Sequence, residues 1–452
     1  MKEMGGIGRW ALILLLLGNV YGGFAQDANT ARAQHIYELF VAGQGDSIHA
    51  ALNRELQEKL APALFNDSFR QAEKMFGKSI SKGEWKTDSA QGITIYYSDV
   101  EFERYNLRFL VAFDADGALN TIRLVPAPAV STAQPVAYDE TKMDERDITL
   151  GADGYKLPGT LTLPKRAVGP DACRVPCVIL VHGSGPHDRD ETIGPNKPFR
   201  DLAWGLAERG IAVVRYEKRT KAYGAACVPA GRELDYDTEA VDDAVAIVEQ
   251  VRALPELAPD SVYVLGHSLG GTLAPRIAGR SKGLAGIIIL AGLARPLEDA
   301  LEEQFYYTSS LTDSSVNVKA QLDELKQQLA NVKKLGTEEF DETISLPLGQ
   351  PRSYWLFANA YKPVEVAAKL KLPIFVLQGE RDYQVTMEDF GLWRSGLLRC
   401  KNAYFKSYPK LNHLLQEGSG KATPFEYSHA SPVPAYVMDD IASFVRGKQN
   451  TL

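Results

Sequence analysis

Ser268 stands in Val262-Tyr-Val-Leu-Gly-His-Ser-Leu-Gly-Gly271, where four residues of strand pattern run into Gly-x-Ser-x-Gly and a helical pattern follows. A serine is a poor nucleophile unless a base takes its proton, so the motif has meaning only with partners. Asp382 follows the apolar run Ile374 to Gln378, in Gly379-Glu-Arg-Asp382. His413 follows a second run, Ala403 to Tyr408, in Pro409-Lys-Leu-Asn-His413. A histidine at its ordinary pKa can take the serine proton and return it to a leaving group. An aspartate can hold the imidazole in the right tautomer and stabilise its cation. The chemistry this set offers is nucleophilic acyl transfer. The bland readings are a loop serine, a turn aspartate and a surface histidine. Three such residues, each just past the carboxyl end of a predicted strand and in the order Ser, Asp, His, argue against them together. Glu380 is the rival acid and His429, in a polar loop, the rival base.

The elements that must position these groups can be read around them. A sharp strand-to-helix turn would lift Ser268 clear of its surroundings, with glycine on both sides because side chains there would strike backbone. A tetrahedral oxyanion needs donors already in place. The backbone N–H of Leu269, after the nucleophile, is one. The loop His182-Gly-Ser-Gly-Pro186, after the apolar strand Cys177 to Val181, supplies the other, with Ser184 favoured and Gly185 the fallback. Alternating helix and strand patterns from 177 to 290 and again from 374 to 446 predict an α/β fold with a covered, mostly parallel sheet. The alternation breaks at residues 293–366, which read as a helical cap insertion. Residues expected to shape the substrate pocket are His182, His267, Arg215, Tyr223, Tyr354 and Trp355. Arg215 opens a basic stretch that runs to Lys221; it either meets a substrate carboxylate or pairs with Asp188, Asp190 or Glu191. Tyr354 and Trp355 either wall the acyl pocket or fill a local core.

The rest of the chain is organised around that unit. With 452 residues it exceeds one ordinary core. Lys2 and Arg9 flank the start of an apolar run, Trp10 to Leu17, and Gly23-Phe24-Ala25 supplies small residues, so residues 1–25 read as an export signal. The protein is then expected to be periplasmic or secreted, with no stable membrane insertion after cleavage. Residues 26–125 carry a helical pattern and then strand patterns, a small α+β domain read as a support or recognition module. Residues 126–145, rich in Pro, Ala and Thr, read as a linker, and residues 146–450 as the catalytic domain. A formal charge of −7 argues against a nucleic-acid partner. No spacing suggests a metal site, and no cofactor is expected. An exported chain can hold disulfides; its four cysteines allow three full pairings, and a bond between Cys173 and Cys227 is favoured.

The motifs at 182–186, 266–270, 379–382 and 412–413 resemble those of the α/β-hydrolase superfamily across about residues 145–450. The likeness is greatest to bacterial exported serine esterases that carry an N-terminal domain of the kind called DUF3887, here residues 30–125. Their core is similar to dienelactone-hydrolase-like and S33 aminopeptidase-like enzymes. True dienelactone hydrolases use cysteine where Ser268 stands, so this chain departs from them there. The resemblance implies a carboxylesterase acting on small-molecule esters with short acyl chains through an acyl-enzyme. Two alternatives stay open: a peptidase or amidase for small peptides, with Glu302 and Glu303 in an acidic cap pocket, and a non-enzymatic envelope protein that keeps the fold.

Overall fold

A computed structural model describes residues 23–90, 93–103, 105–127, 138–152, 154–169, 172–311 and 316–447. It divides into two compact units, one ending at Ala127 and the other beginning at Pro128. Residues 1–25, read as an export signal, lie outside the described residues apart from the last three positions.

The first unit begins with the helix Gly23–Val41 and four shorter ones, Gly45–Ala51, Arg54–Lys59, Ala63–Asn66 and Ser68–Phe76. An antiparallel sheet follows: β1 (Ser79–Lys82), β2 (Lys86–Ala90), β3 (Ile93–Phe102), β4 (Asn106–Phe113) and β5 (Leu119–Pro126). β1 and β2 share one edge of β3, and β4 and β5 continue from the other. Alternate residues of β4, Leu107, Phe109 and Val111, point inward against Ile36, Phe40 and Phe69, the period-two pattern of a sheet covered on one face. The first helix does bury a stripe, Ala33, Ile36 and Phe40, although its sequence shows little of one.

The second unit is built on an eight-stranded sheet. Its strands are β6 (Met143–Leu150), β7 (Leu157–Pro164), β8 (Val175–Val181), β9 (Ala212–Tyr216), β10 (Leu257–His267), β11 (Gly286–Leu290), β12 (Ile374–Gly379) and β13 (Ala403–Tyr408). The order is β13-β12-β11-β10-β8-β9-β7-β6. β8 through β13 are parallel, and β6 and β7 are antiparallel additions at one edge. Successive residues of the central strands face opposite cores. Ile179, Val264 and Ile289 pack under the helices Asp242–Arg252 and Leu269–Arg280. Leu180, Leu265 and Leu290 pack under Pro198–Glu208 and Ala435–Val445. Burial on both faces explains why these strands read as unbroken apolar runs. This is the α/β-hydrolase arrangement. After β8 the chain steps to β9 on one side and then crosses to β10 on the other. The crevice between the ends of β8 and β10 is therefore a switch point of the sheet, where such folds open a site.

The inserted segment after β11 holds the helices Leu297–Ser310, Val316–Val332, Arg352–Ala360 and Pro363–Ala367. Two expectations need correction. The catalytic sheet begins at Met143, inside the stretch read as linker, because β6 pairs with β7 along its full length from Met143 to Leu150. The favoured Cys173–Cys227 disulfide is not formed. All four cysteines are free thiols, with Cys173 exposed and Cys227 buried.

Candidate active site

Ser268 sits where β10 turns into the helix Leu269–Arg280, with φ 53° and ψ −117°. A non-glycine residue rarely holds a positive φ, and here it is held by its neighbours. A Cβ on Gly266 would lie 2.0 Å from the Gly270 carbonyl oxygen, and one on Gly270 would lie 2.2 Å from that of Val181. The turn closes only with glycine at both places. Ser268 N–H donates to Leu290 O at 2.9 Å, tying the turn to β11.

Asp382 and His413 meet as a buried pair, with His413 Nδ1–H donating to Asp382 Oδ2 at 2.6 Å. The other carboxylate oxygen accepts from the N–H groups of Gln384, at 2.7 Å, and Val385, at 3.1 Å, while Gln378 Nε2 reaches Oδ2 at 3.2 Å. The acid is thus fixed by backbone as well as by its partner. The opposite ring nitrogen, His413 Nε2, has no hydrogen bond to any described residue. It makes none to Ser268 Oγ; such contacts are often long before substrate binds. The rival acid, Glu380, is hydrogen-bonded to Ser407 instead. The rival base, His429, lies beside Ser428 in an exposed setting.

A second acid–histidine pair lies beneath the turn. His267 Nδ1–H donates to Glu191 Oε2 at 2.8 Å and Nε2–H donates to the His413 carbonyl at 2.9 Å. Both partners are acceptors, so both nitrogens carry protons and the ring is an imidazolium. The charges agree. Burial pushes the Glu191 carboxyl up, but the charge and hydrogen bond of His267 outweigh it and hold it at about 2. Burial pushes His267 down, and Glu191 outweighs that to raise it. In the sequence Glu191 stands out only as one possible partner for Arg215. The structure puts it under the nucleophile, where its Oε1 also accepts from Gly183 N–H at 2.7 Å.

The loop after β8 is tied at almost every backbone polar group. Gly183 N–H goes to Glu191 and Gly183 O accepts from Lys218 Nζ at 2.7 Å. Ser184 O accepts from His187 at 2.7 Å. Gly185 N–H reaches Glu239 at 3.4 Å, and Gly185 O accepts from Thr220 at 3.3 Å. Among the N–H groups of Gly183, Ser184 and Gly185, that of Ser184 alone has no partner among the described residues. Leu269 N–H, in the first turn of its helix, has no intrahelical acceptor.

A cavity of about 110 Å³ opens at Ser268 and Leu269. Ser184 lines it, and Leu297, Leu301, Gln304, Leu348 and Tyr354 of the inserted segment close it. No lining residue is charged. Of the six residues expected around the substrate, Tyr354 alone lines this cavity, and the others are corrected. Trp355 is wholly buried, its indole N–H on Pro347 O. Arg215 is spent on Asp190 and Glu145, the ion-pair alternative. Tyr223 packs on Tyr155 and bonds Lys156. His182 is buried under its loop, donates to Asp188 O at 2.9 Å and is kept neutral by burial, which lowers it to about 3. His267 is spent as described. Glu303 pairs with Arg295, and neither it nor Glu302 lines the cavity.

The model of the serine aminopeptidase S33 family matches residues 175–417, and that of DUF3887, a family of unknown function, matches residues 33–121. Esterase EstD of Thermotoga maritima is 37% identical over 351 residues, 78% of this chain and 79% of that protein. Among solved structures, Est1E of Butyrivibrio proteoclasticus is similar at 17% identity and a TM-score of 0.43, over 68% of this chain and 99% of that one. An acylaminoacyl peptidase of Pyrococcus horikoshii is similar at 15% identity and a TM-score of 0.45, over 82% of this chain and 51% of that one.

Proposed function

The chain belongs to the serine aminopeptidase S33 family of α/β hydrolases, and from that membership we propose that it is a serine carboxylesterase for small or short-chain acyl esters. The observation that carries the reading is the convergence on one uncharged cavity of a strained serine and an unspent backbone N–H at Ser184. The Asp382–His413 pair lies at the neighbouring strand ends.

The steps follow from the atoms present. Ser268 Oγ gives its proton to His413 Nε2 and bonds the ester carbon, and the carbonyl electron pair moves to oxygen. Ser184 N–H and Leu269 N–H receive that oxyanion. The carbon–alkoxy bond breaks, and His413 gives its proton to the departing alcohol. Water then loses a proton to His413 and attacks the acyl carbon, and the Ser268 oxygen leaves and regains the proton. Asp382 holds Nδ1–H throughout and stabilises the imidazolium.

The lining favours esters over peptides. An aminopeptidase must hold an α-ammonium, and a buried cation requires a paired anion. No carboxylate lines this cavity; Glu303 is held by Arg295 and Glu239 by Lys218. Leu297, Leu301 and Leu348 offer an acyl chain apolar contact, and the modest volume suits a short one. The basic and apolar N-terminal residues support export to the periplasm or medium.

The test is hydrolysis of nitrophenyl esters from acetate to dodecanoate, with Ser268→Ala as the blank. The expected result is a rate that peaks at short chains and falls by about 10⁴-fold or more in the variant. Absence of serine-dependent ester hydrolysis would refute the reading, and cleavage of aminoacyl amides instead would favour the peptidase.

A further inference from the structure

Lys218 and Glu239 are buried, and they pair with each other just behind the loop that holds Ser184. Burying an ion pair costs desolvation that its mutual attraction need not repay. Lys218 Nζ donates to Gly183 O at 2.7 Å as well as to Glu239 Oε1. The Gly183 carbonyl and the Ser184 N–H belong to one peptide unit. A trans peptide is planar and points its C=O and N–H in opposite directions. A donor anchored on the oxygen therefore sets the direction of the N–H. The same Glu239 oxygen takes the N–H of Gly185, so one ion pair grips the backbone on both sides of Ser184.

On the esterase reading above, we infer that Lys218 is a positioning residue for the oxyanion hole, acting through the Gly183–Ser184 peptide. Two effects combine. The peptide cannot swing when charge develops, so no reorganisation is needed at the moment of reaction. A cationic donor on the carbonyl oxygen also polarises the peptide and strengthens its N–H as a donor, more so in a site with few water dipoles. Neither effect operates on a neutral ground-state carbonyl as strongly as on an oxyanion, so the benefit falls on kcat and not on KM. Lys218 touches neither substrate nor the reacting atoms. Glu239 compensates its charge and holds its ammonium in place.

The test replaces the pair by a neutral one of similar shape, Lys218→Met with Glu239→Gln, so that no unpaired charge is left buried. Active sites are counted by end-point phosphonate titration of Ser268, and rates are given per titrated site. Loss of a whole oxyanion donor costs about 10²–10³-fold in kcat. Here the donor remains but is loosened, so a fall of about 10–100-fold in kcat is expected with KM unchanged. Affinity for a trifluoromethyl ketone, which forms an oxyanionic adduct with Ser268, should weaken by a similar factor. A merely structural pair would lower the melting temperature and leave kcat per titrated site within about twofold. That result would overturn the inference while wild-type turnover left the esterase reading standing. A wild-type protein without Ser268-dependent turnover would overturn both. Should the double variant not fold, Lys218→Arg, which keeps a cationic donor, must retain more kcat than Lys218→Gln; equal losses would overturn the inference.

Discussion

Replacing Glu191 with glutamine should change the pH dependence of stability without dismantling the site. The glutamine oxygen can still accept from Gly183 N–H, and its amide can donate to a neutral His267 Nδ1, leaving His267 Nε2–H on the His413 carbonyl. In the wild type the folded-state carboxyl is depressed from 4.5 to about 2. A depressed acid contributes stability that is fully present above its unfolded value and lost as pH falls through 4.5 toward 2. The full shift is worth about 3 kcal/mol, and about 1.4 kcal/mol of it is gone by pH 3.5. His267 is raised, so its share is fully present below 6.5 and is lost as pH rises through its folded value. Both shares are in place between pH 4.5 and 6.5. Urea unfolding of wild type and Glu191→Gln at pH 6 and at pH 3.5 measures the difference, and the subtraction leaves the Glu191 carboxyl and His267 as the groups whose titration differs. The wild type should lose about 1.4 kcal/mol through this carboxyl, and the variant, whose buried neutral His267 stands against an unfolded histidine that protonates below 6.5, should lose up to about 3 kcal/mol. Parallel losses would refute the claim that Glu191 and His267 are a charged pair in the folded protein.

Asp382→Asn should keep the fold and lower kcat by about 10⁴-fold, because the amide can present an N–H to His413 Nδ1 and so favour the wrong tautomer; steady-state kinetics beside a melting curve checks both halves. Leu301→Trp should shorten the acyl chains accepted, with each methylene that no longer fits costing about 10-fold or more in kcat/KM while acetate is spared; an unchanged chain-length profile would remove Leu301 from the acyl wall. Thiol titration of the denatured, unreduced protein should find four free cysteines, and two would show that one disulfide forms. Mass spectrometry of exported protein should find the chain beginning at Gln26, and an intact apolar run in that fraction would refute signal cleavage.

What could be read in the sequence was what local sterics impose. Gly266 and Gly270 are dictated by backbone 2.0 and 2.2 Å from where their side chains would be. Such a constraint acts within a few residues, so it appears as a motif. Asp382 and His413 are similar, since each follows directly from the end of a strand whose apolar run marks it. The pocket was harder, because neighbouring helix positions face about 100° apart. Tyr354 reaches the cavity, and Trp355, one residue on, reaches the core. Nothing in an aromatic run says which is which. Arg215 likewise ends its strand at the site but faces β7 and Glu145, a partner from the antiparallel edge that strand order alone reveals.

Charge pairs are least legible, and here they do the finer positioning. Glu191 and His267 are 76 residues apart, and Lys218 and Glu239 are 21. No local rule joins them; the fold brings them together and then depends on them. The motif His182-Gly-Ser-Gly-Pro186 puts Ser184 first and Gly185 second as the donor without showing what separates them. The choice follows by exclusion. Glu191 consumes the N–H of Gly183, and Glu239 consumes that of Gly185. Each of these acids is buried at a cost, and each brings a cation that offsets it. A tripeptide with freely solvated neighbours would share its three donors among many orientations and would have to reorganise around an oxyanion. Two buried ion pairs leave it one donor in one direction, so the cost of orientation is met when the chain folds and not when the substrate reacts.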